Sequence, residues 1–159
     1  MAPSLQNVTP IAGRGQLSWL AGDLLVVDET YNANPGAMDA VLSGLAASDW
    51  RGRRVAVLGD MRELGPRASA LHNELGAAAA SYGIQLLHAV GAHAETMASA
   101  ARAGGVPAVF THASSDEASR AVPATLRDGD LVVLKASRGT HLETVLDAVL
   151  ASRPLQVRA

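Results

Sequence analysis

Five short apolar runs recur along the chain, at residues 24–27, 54–58, 85–90, 109–112 and 131–134, and stretches of helical spacing lie between them. Runs that are apolar at successive positions, without polar alternation, are what strands covered on both faces look like. Strands that alternate with helices are joined by crossovers, and crossovers make neighbouring strands parallel. The predicted fold is therefore α/β: a doubly wound, mostly parallel sheet of five or six strands flanked by helices. Residues 10–20 add a short turn and a strand that pairs with 24–27 through Ala21-Gly22-Asp23. Helices are expected at 35–47, where Met38, Val41, Leu42 and Leu45 share a face, and at 68–82, 94–103 and 142–152. A further helix should start at Ser114 or Ser115 and run towards Leu126, with Pro123 ending it early.

Open sheets of this kind bind ligands at the carboxyl ends of their strands, so the polar loops found there carry the functional question. In the first, Asp28 ends a strand where the chain should reach solvent, and Glu29, Tyr31, Asn32 and Asn34 follow. Carboxylates, a stacking ring and two amides can together read a ribose and a base, while Asn34 before Pro35 is also an ordinary helix cap. The second loop, Gly59-Asp60-Met61-Arg62-Glu63-Leu64-Gly65-Pro66, carries an acid whose commoner role is to cap a helix. The third, Lys135-Ala136-Ser137-Arg138-Gly139-Thr140, sets two cations and a hydroxyl before a helix whose first amides favour an anion, so a carboxylate-bearing ligand fits it.

At 159 residues the chain is long enough for one core. A net charge of -2 gives no basic excess for a nucleic-acid backbone, so nucleic acid is not an expected partner. Cysteine is absent, which removes disulfides and thiolate metal sites. His72, His88, His93, His112 and His141 show no helical metal-pair spacing and are expected at the surface or in caps, so no metal ligands are assigned. No membrane-length apolar stretch occurs and residues 1–10 lack the form of a signal peptide, which leads to a cytoplasmic expectation without membrane insertion. Lys135, the only lysine, is followed by alanine, so no G-x-x-x-x-G-K-[ST] phosphate loop exists, and G-x-G-x-x-G is absent too. If the chain touches a nucleotide, another domain must hold most of its phosphates.

Three stretches in order resemble the Mur ligases of bacterial cell-wall synthesis, in particular the branch that adds D-alanyl-D-alanine to UDP-N-acetylmuramoyl-tripeptide. Asp-Glu-Thr-Tyr-Asn-Ala-Asn-Pro at 28–35 is similar to that branch's Asp-Asp-x-Tyr-Asn-Ala-Asn-Pro. Leu58 to Gly65 resembles Leu-Gly-Asp-Met-x-Glu-Leu-Gly, and Lys135, Ser137, Arg138, Gly139, Leu142 and Glu143 match Val-Lys-Gly-Ser-Arg-Gly-Met-x-Leu-Glu. Ala136 and Thr140 depart from that last pattern, which should stiffen the loop and remove an apolar wall. Gly13-Arg14 resembles the Gly-Arg that joins the central and C-terminal domains in the family.

The resemblance implies a C-terminal domain at 13–153, with 1–12 as a linker and 154–159 as a tail expected to fray. It also implies missing N-terminal and central domains that bind the UDP-sugar and hold ATP with Mg2+. In such enzymes ATP phosphorylates the tripeptide carboxylate, and the amine of D-alanyl-D-alanine attacks the acyl phosphate. Carried over residue by residue, Arg14, Tyr31, Asn32 and Asn34 face the nucleotide, with Asp28 or Glu29 on the ribose. Asp60, Lys135, Ser137 and Arg138 then face the dipeptide. No residue is assigned covalent chemistry, and the domain alone is expected to be inactive. Two other readings stand beside this one: a noncatalytic nucleotide- or peptide-binding module built on the same domain, and a related ligase such as a folylpolyglutamate synthase, which does not account for Tyr-Asn-Ala-Asn-Pro.

Overall fold

The structure, a computed structural model, describes residues 15–158. Its strands are β1 (Gln16–Leu20), β2 (Leu24–Glu29), β3 (Arg54–Gly59), β4 (Leu86–Val90), β5 (Ala108–His112) and β6 (Leu131–Lys135). Five helices accompany them: α1 (Pro35–Ala47), α2 (Ala68–Ser81), α3 (Ala94–Ala103), α4 (Ser115–Thr125) and α5 (Glu143–Ala151). The strands form one sheet in the order β1-β2-β6-β3-β4-β5, parallel throughout except for the β1–β2 hairpin.

Because the inner strands carry nearly unbroken apolar runs, successive residues feed two cores. Leu25, Val27, Ala56, Leu58, Leu131 and Val133 meet α1, α2 and α3 through Met38, Leu42, Leu75 and Met97. On the opposite face Leu24, Val26, Val55, Val57, Val132 and Leu134 meet α4 and α5 through Val122, Val145 and Val149. Small residues let α2 and α3 come close: a Cβ at Gly76 would collide with the Met97 carbonyl oxygen.

The position of β6 matters most for function. It is the last strand in the chain but lies between β2 and β3, so the sheet's winding reverses there. Such a reversal opens a crevice at the carboxyl ends of the flanking strands. The loops after β2, β3 and β6 all leave from that edge.

Three sequence expectations are corrected. Pro123 does not cut α4 short, because it falls in the last turn, where Thr125 Oγ1 donates to the Val122 carbonyl and Leu126 N to the Pro123 carbonyl. The segment after α5 does not fray. Ala21 N donates to Pro154 O at 2.8 Å and Gln156 N to Trp19 O at 2.9 Å, so residues 154–156 lie antiparallel beside the end of β1. Nor do the histidines all sit at the surface: His72, His88 and His112 are buried. His112 Nε2 bonds His88 Nδ1 at 2.9 Å, and His88 Nε2 donates to Thr125 Oγ1 at 2.9 Å, so each buried ring nitrogen of His88 is satisfied. Burial, with help from His112 and Arg53, pushes the His88 pKa down to about 3.

Candidate functional site

The loops after β2, β3 and β6 enclose an open cleft of about 890 Å3. Asn32 and Asn34 line it from the first loop, residues 60–65 from the second, and Ser137, Arg138 and Gly139 from the third. His93, ahead of α3, completes the wall.

Several of the polar side chains hold these loops to one another. Sheet register brings Glu29 opposite Lys135, whose Nζ lies 3.5 Å from Glu29 Oε2 and donates to Asn32 O at 3.0 Å. Lys135 is thereby 5% exposed, and the ammonium ties the first loop to β6 where the sequence suggested a cation facing ligand. Ser137 is buried as well, and its Oγ accepts from Arg62 N at 2.8 Å, while Ser137 N donates to Asp60 O at 2.9 Å. These bonds join the second loop to the third.

The acids are similarly engaged. Asp28, expected to reach solvent, is buried, and its Oδ1 accepts from Thr30 N at 3.0 Å and Thr30 Oγ1 at 2.6 Å. The carboxylate turns the chain out of β2. Asp60 accepts from Ala92 N and His93 N, both at 2.9 Å, and so anchors the entry to α3 from across the sheet edge. Its position on the cleft wall leaves it in the lining while its oxygens serve the backbone.

What remains directed outward is a smaller set. Asn34 Oδ1 caps α1 by accepting from Ala37 N at 2.8 Å, which leaves its amide NH2 as the donor group at the rim. Asn32 is exposed beside it. The Arg138 guanidinium lies 5.1 Å from the Tyr31 ring centroid, a cation–π contact that sets aromatic and cationic groups from two loops side by side. Arg14 falls outside the described residues.

Sequence reasoning missed Arg62 and His93. Arg62 Nη2 donates to Gly139 O at 3.1 Å, and a Cβ at Gly139 would strike its guanidinium, so the glycine makes room for the arginine. Arg62 fills the variable position of the second stretch, where a motif gives no signal. The His93 ring stacks on His72 at 4.1 Å, and His72 Nε2 accepts from Met61 N at 3.0 Å while its other nitrogen faces Ala68 O at 2.7 Å. Burial lowers the His72 pKa, which keeps Nε2 free to accept. The α5 amides differ from the sequence picture too: Thr144 N and Val145 N bond His141 O and Leu142 O, while Arg62 and Arg138 stand on the cleft wall. Among the described residues no group of three or more His, Cys, Asp or Glu side chains could hold a metal ion, and no helix is long and apolar enough to cross a membrane.

The family model for the Mur ligase, glutamate ligase domain, matches residues 13–138. The chain belongs to the Mur ligase family. This Mur ligase domain is 36% identical over 147 residues to the UDP-N-acetylmuramoyl-tripeptide–D-alanyl-D-alanine ligase of Synechocystis sp., covering 91% of this chain and 32% of that protein. It is 32% identical over 171 residues to the ligase of the same name from Mycobacterium tuberculosis, covering 95% of this chain and 34% of that one. Among solved structures, a MurF from Acinetobacter baumannii superposes with a TM-score of 0.79 at 27% identity, over 94% of this chain and 33% of that chain. MurF from Thermotoga maritima, crystallised with ADP, gives a TM-score of 0.75 at 26% identity, over 92% and 32%. The chain thus spans about a third of the length of these Mur ligases.

Proposed function

We propose that this chain is the C-terminal domain of an ATP-dependent ligase that joins D-alanyl-D-alanine to UDP-N-acetylmuramoyl-tripeptide. The observation that carries the reading is the convergence of three strand-end loops on one cleft at the winding reversal of the sheet. The groups present suit a nucleotide: Tyr31 offers an aromatic face next to the cleft, and Asn32 and Asn34 offer amides on its wall. The likeness of Gly13-Arg14 to the family's Gly-Arg assigns Arg14 to the nucleotide as well. ATP supplies the phosphoryl group that activates the peptide carboxylate, and its Mg2+ would be held by residues of the other domains.

This domain's own contribution is positional. Arg138 and Arg62 provide the charge that orients the carboxylate of the dipeptide. Asp28, Glu29, Asp60, Lys135 and Ser137 act one step back, fixing the loops that carry the contacting groups. Closure of such a wall over a neighbouring domain excludes water and aligns the reacting groups, effects worth roughly 7 kcal/mol or more in well-oriented systems. Without the other domains there is nothing to align, so the isolated chain should not turn over.

The test is a chimera in which this chain replaces the C-terminal domain of the Synechocystis ligase. Phosphate release that depends on D-alanyl-D-alanine is expected, and Arg138→Ala should lower kcat/KM about 10- to 100-fold, the loss of one charge-assisted contact. A folded chimera without dipeptide-dependent phosphate release, beside an active parent, would overturn the reading.

A further inference from the structure

Asp60, Arg62, Glu63 and Arg138 are the carboxylate and guanidinium residues that line the cleft. All but one of them have partners within the protein. Asp60 gives one oxygen to Ala92 N and the other to His93 N. Arg62 donates to Gly139 O, and Arg138 lies against the Tyr31 ring. Glu63 is exposed, and its carboxylate makes no hydrogen bond or ion pair with any described residue, its neighbour Arg62 included.

The backbone of Glu63 is unusual as well. Among the described residues other than glycine, Asp23 (φ 58°), Glu63 (φ 60°) and His141 (φ 56°) are left-handed. Aspartate and histidine enter that region more readily than most side chains, and both of these serve a turn. Asp23 lies in the β1–β2 hairpin, and His141 O accepts from Thr144 N ahead of α5. Glutamate has no such preference, and among the described residues no backbone hydrogen bond closes the chain at Glu63. Glycine is at ease in this conformation, as at Gly65 two residues on, also at φ 60°. Strain kept at a residue that supports no local structure directs attention to what its side chain meets.

We infer that Glu63 binds the ammonium group of the incoming D-alanyl-D-alanine while Arg62 and Arg138 hold its carboxylate. The inference rests on the ligase reading of this cleft. The dipeptide is a zwitterion whose ends lie at most about 7 Å apart. Cations alone would take the carboxylate and leave the nucleophilic end unplaced. Arg62 and Glu63 are consecutive in the chain and not paired with each other, so one short segment offers both signs of charge to one small ligand. That segment is held from behind: Arg62 N donates to Ser137 Oγ at 2.8 Å, and Met61 N to His72 Nε2 at 3.0 Å. Closure against a neighbouring domain removes water from the carboxylate and strengthens its contact with a cation.

The test uses the Synechocystis chimera with Glu63→Gln, which keeps the size of the side chain and removes its charge. KM for D-alanyl-D-alanine should rise about tenfold, the loss of one charge-assisted contact, while KM for ATP stays as it was. N-propionyl-D-alanine, the same dipeptide without its amine, should inhibit the parent chimera and the variant equally. Glu63→Gly should raise the dipeptide KM as Glu63→Gln does without lowering the melting temperature of the chain, because glycine relieves the left-handed backbone. An active chimera whose dipeptide KM is unchanged by Glu63→Gln overturns this inference and leaves the ligase reading in place. An equal loss of affinity for N-propionyl-D-alanine overturns it too, since the residue would then only shape the loop. A folded chimera with no dipeptide-dependent phosphate release overturns the ligase reading and this inference with it.

Discussion

Thr140 Oγ1 is the buried side-chain oxygen that lacks a hydrogen-bond partner among the described residues. Its neighbourhood explains why. Gly59 ends β3 without a side chain, and the Ala136 methyl and Thr140 Cγ2 both press into the space that a Cβ there would occupy. The two departures from the family pattern in the third loop therefore meet at one glycine, and one of them leaves a buried hydroxyl without a partner among the described residues. Replacing that hydroxyl by a methyl keeps the shape and removes the orphan, so Thr140→Val should raise unfolding free energy by about 1 kcal/mol in urea titration. At this scale the sequence was readable where a residue acts on its neighbours: Asn34 before Pro35 caps α1 as the pair predicts. Lys135 was not, because its burial depends on Glu29 and Asn32, which lie more than a hundred residues away in sequence and reach it only through the pairing of β2 with β6.

The contact between α2 and α3 depends on Gly76, and it makes the same point one level up. Periodicity marks both helices, yet nothing local says that one must approach the other so closely that the Met97 carbonyl excludes a Cβ. Gly76→Ala has the better helix propensity and should still destabilise, by about 1–3 kcal/mol, because backbone must move to admit the methyl. Thermal unfolding of the variant checks this. The strands were legible as unbroken apolar runs, and their parallel sense followed from the helices between them. Their order was not: the placement of β6 between β2 and β3 rests on a long return crossover, and that placement is what gathers three loops into one cleft. The pairing of residues 154–156 with β1 was hidden for a related reason, since so short a segment has no period to read.

For the molecule as a whole, the buried histidines make stability depend on pH. His88 faces His112, Thr125 and the Phe110 ring, with Arg53 nearby, and burial holds its pKa near 3 against 6.5 when unfolded. The unfolded chain therefore takes up a proton that the folded chain refuses. Stability from this group is complete above pH 6.5 and is lost progressively as pH falls towards 3, with about 2 kcal/mol gone between pH 7 and pH 5. His112 and His72, also shifted down by burial, add in the same direction. Urea midpoints across this range should fall steeply in wild type and less so in His88→Gln. The stacking of residues 154–156 along β1 has a consequence of another kind. An uncovered outer strand offers unpaired amides and carbonyls to any other molecule in solution, and it is the usual starting point for chains adding edge to edge into aggregates. By pairing with residues 19–21, residues 154–156 cover that end of the strand's outer edge and leave less of it as a template for a second copy.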